Sequence, residues 1–207
     1  AREREAAVLI ERCNAVHREE PYKALGGLLE TYLRAKRERV ALEGRQIRRA
    51  QAAKAQPNAG HQALAQLAAQ HPGEVVVITQ NVDDLHEKAG SQGVIHMHGT
   101  LSGALCSACG HRWQAALAMQ PQDSCPHCAG TTTRPDVVWF GEIPYAMQTI
   151  ETHLAEADLF VSIGTSAQVY PAANFVQAAA ATGARTLEFN LEPSAMATRF
   201  DDYRYGP

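Results

Sequence analysis

The chain has 207 residues, of which 45% are hydrophobic, and a formal net charge of −3 at pH 7. This length and balance suit one globular domain, or one domain with a small appendage. No apolar run approaches the ~18 residues that a membrane span requires, and nothing resembles a secretory signal peptide, so we expect a cytoplasmic protein without a membrane partner.

The first 56 residues differ in composition from the rest. They hold 13 Lys and Arg against 8 Asp and Glu (net +5), which leaves 6 against 14 (net −8) for the remainder. Good helix formers dominate here, so we predict a helical N-terminal segment over 1–56 with helices at about Glu3–Val16 and about Tyr22–Lys54. The basic runs could contact nucleic acid, but glutamates spaced three or four residues away favour a solvated, salt-bridged helix face. We therefore expect no nucleic-acid partner.

From Pro57 onward, helical stretches alternate with short apolar and β-branched runs of strand length. The predicted strands are Glu74–Ile78, Val137–Phe140, Leu159–Ile163 and Thr186–Asn190, and the predicted helices are His61–His71, Tyr145–Ala157 and Ala172–Ala181. This alternation predicts an α/β fold with a doubly wound parallel sheet of the Rossmann-like kind.

Three polar motifs follow predicted strands directly: Thr79–Asp83, Gly164–Ser166 and Asn190–Glu192. Because such sheets bind ligands at the carboxyl ends of their strands, the motifs are expected to share one cofactor cleft. The Gly-Thr-Ser motif offers close backbone approach, hydroxyls and amide N–H groups, which suit ribose or phosphate oxygens, although a helix cap would explain it equally well. Asn190 and Glu192 could likewise accept from ribose hydroxyls, or they could serve only as caps before Pro193.

Four of the five cysteines form two C-x-x-C pairs, Cys106 with Cys109 and Cys125 with Cys128, separated by fifteen residues. This spacing is typical of a tetrahedral Zn²⁺ site, and four thiolates leave no position open for a reacting water. Two disulfides would leave Cys13 over and have no extracellular context to support them. We therefore predict one structural zinc ion, held in a module over 106–133 that is inserted between 57–105 and 134–207 of the sheet domain.

These motifs, taken in order, resemble those of the sirtuins, the NAD-dependent protein-lysine deacylases. The matching stretches are T-Q-N-V-D-D-L-H at 79–86, H-G at 98–99, the paired C-x-x-C, V-V-W-F-G-E at 137–142, G-T-S at 164–166 and N-L-E-P at 190–193. The resemblance runs from about Pro57 to Pro207, and its wording is most similar to bacterial and mitochondrial members that prefer acidic acyl groups.

The resemblance implies a reaction in which NAD and an acyl-lysine protein or peptide give free lysine, nicotinamide and O-acyl-ADP-ribose. It implies cofactor contacts from the three strand-end motifs, namely Gln80, Asn81, Val82, Asp83, Gly164, Thr165, Ser166, Asn190, Leu191 and Glu192. It also implies that the substrate backbone pairs as an added strand with Val138, Trp139, Phe140, Gly141 and Glu142.

His98 is the candidate general base. An imidazole with an ordinary pKa near 6.5 takes up a proton near neutrality, and the glycine that follows leaves room for a substrate. From the residues alone His96 competes with it, but the histidine of the family's H-G pair matches His98. By the same resemblance, Asn81 orients the ribose or the reactive water.

Two departures from the family pattern bear on activity. No strand followed by a glycine-rich G-A-G-x-S loop is found before Pro57, and Gly26-Gly27 lacks both the strand and the serine. Where acidic-acyl sirtuins carry Tyr-x-x-Arg, an ungapped count gives Arg45 and Arg48, so only Arg48 matches a residue that binds the distal carboxylate. The alternative function is a catalytically impaired sirtuin-like zinc module that binds an acyl-peptide or a partner protein.

Overall fold

The computed structural model describes residues 7–11, 54–115, 119 and 123–206. Six strands form one sheet in the order β3-β2-β1-β7-β8-β9, and every neighbouring pair in it is parallel. These strands are β1 Ala7–Glu11, β2 Val75–Thr79, β3 Ile95–His96, β7 Leu159–Ile163, β8 Arg185–Asn190 and β9 Asp202–Tyr205. The predicted doubly wound α/β fold is confirmed.

The order in which strands are added to the sheet changes direction at β1. Strands β2 and β3 lie on one side of β1, and β7, β8 and β9 lie on the other. Ile10 of this strand pairs with Ile78 of β2 on one side and with Ser162 of β7 on the other. Sheets of this topology open a crevice at the carboxyl ends of the two strands beside the reversal, and ligands bind there. The strand order alone therefore points to the ends of β1, β2 and β7.

Helices cover both faces of the sheet. The helices are α1 Ala59–Gln70, α2 Leu85–Ala89, α3 Met147–Glu156 and α4 Phe175–Ala181, with short 3-10 helices at Ala172–Asn174 and Ala197–Arg199. One core packs Val76, Ile78 and Phe160 against buried side chains of α3 and α4, including Ile150 and Phe175. Successive strand residues point to opposite faces, so Val77 and Val161 pack on the other side, where Leu64 of α1 joins them.

The chain divides into two compact units. Among the described residues, the first unit contains 7–11, 56–100 and 137–206, and it holds the parallel sheet. The second contains 54, 55, 101–115, 119 and 123–136, together with all four C-x-x-C cysteines. A three-stranded sheet is built from β4 Gly99–Cys106, β5 Arg112–Gln114 and β6 Thr133–Val137, with β4 in the middle and antiparallel to β5.

The predicted helix at Glu3–Val16 is wrong for residues 7–11, which form β1, and a strand therefore does precede Pro57. The run Ala7–Ile10 is apolar and of strand length, but it is flanked by charged helix-forming residues, so local propensity favours a helix. Pairing on both sides within a parallel sheet overrides such a preference. The predicted helix at Tyr22–Lys54 lies outside the described residues except at its last position.

The predicted strand at Val137–Phe140 is also wrong beyond its first residue. The strand is β6, which begins upstream at Thr133 and ends at Val137. Its Pro-Asp sequence predicts a turn, because both residues favour turns. The chain then turns, with Glu142 N–H donating to the Trp139 carbonyl at 3.0 Å and Gly141 at a φ of 90°.

Within the described part of the chain, no helix is long and apolar enough to cross a membrane.

Candidate active site and metal centre

The four predicted zinc ligands come together. Their Sγ atoms all lie within 4.8 Å of one another, and the pairs Cys106–Cys128 and Cys109–Cys125 are each separated by 3.7 Å. A disulfide requires about 2.05 Å, whereas a tetrahedron with Zn–S distances of about 2.3 Å has edges of about 3.8 Å. The cysteines are thus free thiols positioned to bind one zinc ion.

Each C-x-x-C pair lies on a tight turn of the same design. The carbonyls of Cys106 and Cys125 accept from the N–H groups of Gly110 and Ala129, both at 2.9 Å, one residue after each second cysteine. Both of these residues are left-handed, with φ of 73° at Gly110 and 58° at Ala129. A hydrogen bond from the backbone N–H of Cys109 lowers the pKa of the Cys106 thiol to about 6, which favours the thiolate that zinc requires.

At the sheet edge, hydrogen bonds link the ends of three strands. The Gln80 amide, just beyond β2, donates to Thr165 Oγ1 at 3.3 Å, just beyond β7. The Asn190 amide, at the end of β8, donates to the Thr165 carbonyl at 2.8 Å, while Asn190 Oδ1 accepts from Leu191 N–H at 2.9 Å. Residues far apart in sequence therefore form one connected polar edge.

The His98 side chain contacts this edge at the backbone carbonyl of Gln80. Its Nδ1 lies 3.1 Å from the Gln80 carbonyl oxygen, and because a carbonyl only accepts, Nδ1 carries the proton. In the neutral imidazole the basic lone pair then lies on Nε2. His96 differs, because its Nε2 lies 2.6 Å from Glu87 Oε1 and its Nδ1 lies 3.3 Å from the Asn81 carbonyl oxygen. Both nitrogens of His96 are engaged in structural contacts, which favours His98 as the base.

The turn after β2 carries the other predicted cofactor residues. Asn81 is buried and its N–H donates to Thr79 Oγ1 at 3.0 Å, while Val82 is partly buried. Asp83 Oδ1 accepts from the N–H of Leu85, the first residue of α2, at 3.1 Å. Gln80 is 6% exposed, and its Oε1 has no hydrogen-bond partner among the described residues. A buried acceptor of this kind, at the crevice edge, fits the hydroxyl of a nucleotide ribose.

The Gly-Thr-Ser turn is shaped by its glycine. Gly164 has a φ of 63°, and its N–H donates to the Phe189 carbonyl at 2.9 Å. Thr165 is buried and Ser166 is partly exposed, so Ser166 is the more accessible of the two hydroxyl-bearing residues. Leu191 and Glu192 are both exposed beyond β8, where a ligand can reach them.

The predicted substrate segment, Val138–Glu142, is attached to the histidine segment by two backbone hydrogen bonds. Val138 N–H donates to the His98 carbonyl at 2.9 Å, and Tyr145 N–H donates to the Met97 carbonyl at 2.8 Å. Between these attachments the loop exposes Trp139 and Phe140, the latter 96% exposed. The backbone at the start of this loop is therefore fixed next to the candidate base, while its apolar side chains face solvent.

Three further residues differ in how the sequence and the structure treat them. Arg48, predicted to bind a distal carboxylate, lies outside the described residues. Sequence reasoning missed Glu87, whose carboxylate contacts His96, and it named Thr79 only as part of a motif, without its hydrogen bond to the Asn81 N–H. A glutamate on a short helix carries no signal by itself, because its partner His96 is brought to it only by the pairing of β2 with β3.

Comparison with known proteins places this arrangement in context. A profile described as the Sir2 family matches residues 31–171, and so begins upstream of Pro57. An NAD-dependent protein deacylase of Caulobacter vibrioides is 56% identical over 164 residues, which are 77% of this chain and 69% of that protein. An NAD-dependent protein deacylase of Salmonella typhimurium is 43% identical over 183 residues, which are 87% of this chain and 63% of that protein. The chain thus spans about two thirds of the length of these curated relatives.

Solved structures give the same likeness at the level of fold. A Sir2 homologue in complex with NAD has a TM-score of 0.75 and 34% identity, covering 83% of this chain and 68% of its own. A mutant Sir2 homologue in complex with ADP-ribose has a TM-score of 0.78 and 28% identity, covering 99% of this chain and 86% of its own. Sir2 bound to an acetylated peptide has a TM-score of 0.66 and 29% identity, covering 74% of this chain and 66% of its own.

Proposed function

Because the chain belongs to the Sir2 family, we propose that it is an NAD-dependent protein-lysine deacylase whose general base is His98. The observation that carries this assignment is the connected polar edge: His98, Gln80, Thr165 and Asn190 are linked by hydrogen bonds at the strand ends beside the reversal at β1. Its substrates are acyl-lysine proteins or peptides, as one solved Sir2 structure with an acetylated peptide supports.

The residues present suit NAD as the second substrate. Gln80 Oε1 offers a buried acceptor for a ribose hydroxyl, and the Gly164–Ser166 turn offers backbone N–H groups and a hydroxyl. Asn81, Val82 and Asp83 line the same edge, and Asn190, Leu191 and Glu192 form its far side. NAD supplies the ribose carbon to which the acyl oxygen transfers, with nicotinamide as the leaving group.

His98 performs the proton transfer in this proposal. Its Nδ1–H is held by the Gln80 carbonyl, so Nε2 takes a proton from a ribose hydroxyl. The Val138–Glu142 loop brings the acyl-lysine to the base, because its backbone is attached at the His98 carbonyl itself. Zinc takes no part in the reaction, since four thiolates close its coordination sphere.

The compartment and the acyl preference are finer proposals. Four cysteines kept as thiols for zinc suit the reducing cytoplasm, and we place the protein there. The acidic-acyl preference rests on the sequence position of Arg48, whose guanidinium would pair with a distal carboxylate.

The deciding experiment measures nicotinamide release from millimolar NAD with acetyl-lysine and succinyl-lysine peptides. We expect His98→Ala to reduce turnover by about 10²–10⁴-fold, the usual loss for a positioned acid-base group, with the melting temperature nearly unchanged. His153→Ala, on the helix α3 and away from the crevice edge, is the matched control and should retain turnover. Equal turnover in the His98→Ala variant and the parent would overturn His98 as the base. Absence of nicotinamide release from the parent itself would favour the alternative, a zinc module that binds acyl-peptide without consuming NAD.

A further inference from the structure

Two histidines, two positions apart, bind two successive backbone carbonyls of the turn after β2. His98 Nδ1 lies 3.1 Å from the Gln80 oxygen, and His96 Nδ1 lies 3.3 Å from the Asn81 oxygen. His96 itself pairs with Thr79 across β3 and β2, so its ring is brought to the turn by the sheet register. Only His98 is accounted for by the proposed chemistry, and the role of His96 remains to be assigned.

The second nitrogen of His96 contacts a carboxylate. Its Nε2 lies 2.6 Å from Glu87 Oε1 on α2, a short distance of the kind found in charge-assisted hydrogen bonds. The carbonyl on one side and the carboxylate on the other can only accept hydrogen bonds. His96 can satisfy both only when both ring nitrogens carry protons, that is, as an imidazolium. A neutral His96 must give up one of the two.

The charges around His96 favour the imidazolium. Burial lowers its pKa, but the hydrogen bond and charge of Glu87 outweigh burial and hold the pKa above its ordinary 6.5, with Asp83 acting in the same direction. Burial raises the pKa of Glu87, but His96, together with the charge of His86, holds it below its ordinary 4.5. The contacts are therefore complete between about pH 4.5 and 6.5, and they weaken as the pH rises through the raised pKa of His96.

We propose that His96 is a positioning residue: as an imidazolium it connects the Asn81 carbonyl to the Glu87 carboxylate and so fixes the turn Asn81–Asp83 against α2. The inference rests on the proposed function, in which this turn binds NAD. His96 does not touch reacting atoms, because both of its nitrogens are occupied by protein groups. It sets the shape of the turn, and through it the affinity for NAD becomes dependent on pH.

The test uses the full chain and begins with readouts that need no NAD. Glu87→Gln keeps an acceptor at the same place but removes the charge, and Glu87 is exposed enough to tolerate the change, with 43% of its side chain accessible. We expect a nuclear magnetic resonance titration to show a lower pKa for His96. We also expect faster amide hydrogen exchange at Leu85 N–H, whose acceptor is Asp83 Oδ1 in the same turn. Glu151→Gln, exposed on α3, is the matched control and should change neither.

The second readout is NAD affinity as a function of pH. We expect the dissociation constant of the parent for NAD to rise by about 3- to 10-fold between about pH 6 and about pH 9. This is the equivalent of the one hydrogen bond that His96 gives up when it loses a proton. In Glu87→Gln the rise should occur at lower pH, and His96→Gln should bind weakly at every pH. Turnover at saturating NAD should change far less than the dissociation constant in both variants.

The outcomes separate the two proposals. An unchanged pKa of His96 and unchanged exchange at Leu85 in Glu87→Gln would overturn the positioning role. Faster exchange with unchanged NAD affinity would support the contacts of His96 but overturn the assignment of this turn to the NAD site, and with it that part of the proposed function. Faster exchange together with a shifted pH profile would support both.

Discussion

At the scale of single residues, Asn190 shows how one amide can hold the crevice edge together. Its Nδ2 donates to the Thr165 carbonyl at 2.8 Å and its Oδ1 accepts from the Leu191 N–H at 2.9 Å. The two contacts require opposite hydrogen-bonding character on one side chain, and an asparagine supplies both. The side chain thus ties the end of β8 to the turn after β7, whatever ligand contact it also makes.

Asn190→Asp separates these two roles. The carboxylate keeps the acceptor for Leu191 N–H but places an oxygen against the Thr165 carbonyl, so a donor is lost and two acceptors face each other. We expect the free energy of unfolding to fall by about 1–3 kcal/mol, the usual cost of an unsatisfied contact of this kind. Urea denaturation at neutral pH measures it.

The control for this substitution is Asn174→Asp, at an exposed position where no side-chain hydrogen bond caps the helix. It carries the same change in charge, and because a carboxylate is favourable at a helix N-terminus, the free energy of unfolding should stay the same or rise slightly. A fall of equal size in both variants would show that added charge, and not the lost donor at Asn190, is responsible.

The choice between His98 and His96 marks the limit of sequence reasoning at this scale. The residues alone made His98 the candidate base but left His96, two positions away, as a competitor, and the family pattern decided for His98. The structure adds the physical reason, since Glu87 occupies Nε2 of His96. That contact depends on the register of β2 with β3, a long-range property that no local pattern in the sequence encodes.

At the scale of elements, the zinc turns were predictable and β1 was not. Two C-x-x-C pairs at a fixed spacing determine a local geometry, because the ligand chemistry dictates it. The strand Ala7–Glu11 has only five residues and is surrounded by charged helix formers, so local propensity pointed to a helix. Its strand state comes from the pairing with β2 and β7, which begin 64 and 148 residues after Glu11.

The two C-x-x-C turns are expected to bind a structural zinc ion. We expect purified protein to hold about one zinc ion per chain, and Cys106→Ser to lose both the metal and the cooperative unfolding of the second unit. Structural zinc contributes on the order of 10 kcal/mol to folding, more than a small unit can replace. Metal analysis and a thermal melt followed by circular dichroism measure the two effects.

Ser107→Ala is the control for the zinc prediction. Ser107 is exposed in the same turn as Cys106, between two ligands, and its hydroxyl contributes no thiolate. This variant should retain zinc and the parent melt. A metal-free parent that unfolds in one cooperative transition would contradict the assignment of these cysteines to a structural metal.

At the scale of the whole molecule, the strand order gives the reason for the location of the site. The reversal at β1 places the crevice beside the carboxyl ends of β1, β2 and β7, and the predicted motifs after β2 and β7 lie at that edge. Alternation of strands and helices in the sequence was enough to predict this architecture. The central position of β1 was not predicted, because it depends on which strands pair and not on where they occur along the chain.

The sequence that follows β1 bears on the affinity for NAD. Dinucleotide-binding folds use a glycine-rich turn at this position, where backbone N–H groups converge on the pyrophosphate. The sequence after Glu11 continues Arg12-Cys13-Asn14 and contains no glycine before Gly26. Two or three charge-assisted hydrogen bonds at about 1.5–3 kcal/mol each would be forfeited, which corresponds to roughly 10²- to 10⁶-fold in affinity.

We therefore expect this chain to bind NAD with a dissociation constant in the millimolar range, measured by isothermal titration calorimetry. Replacing residues 12–16 with Gly-Ala-Gly-Ile-Ser should tighten binding of NAD by at least about 10²-fold. Glycine has no side chain, so the backbone N–H groups of the new sequence can come close to the phosphates. The same five residues in the order Ala-Ser-Ala-Ile-Ala form the matched control and should give no gain. Micromolar affinity in the parent chain would contradict this prediction, since it would require other groups, such as the arginines at 45, 48 and 49, to bind the pyrophosphate in place of the glycine turn.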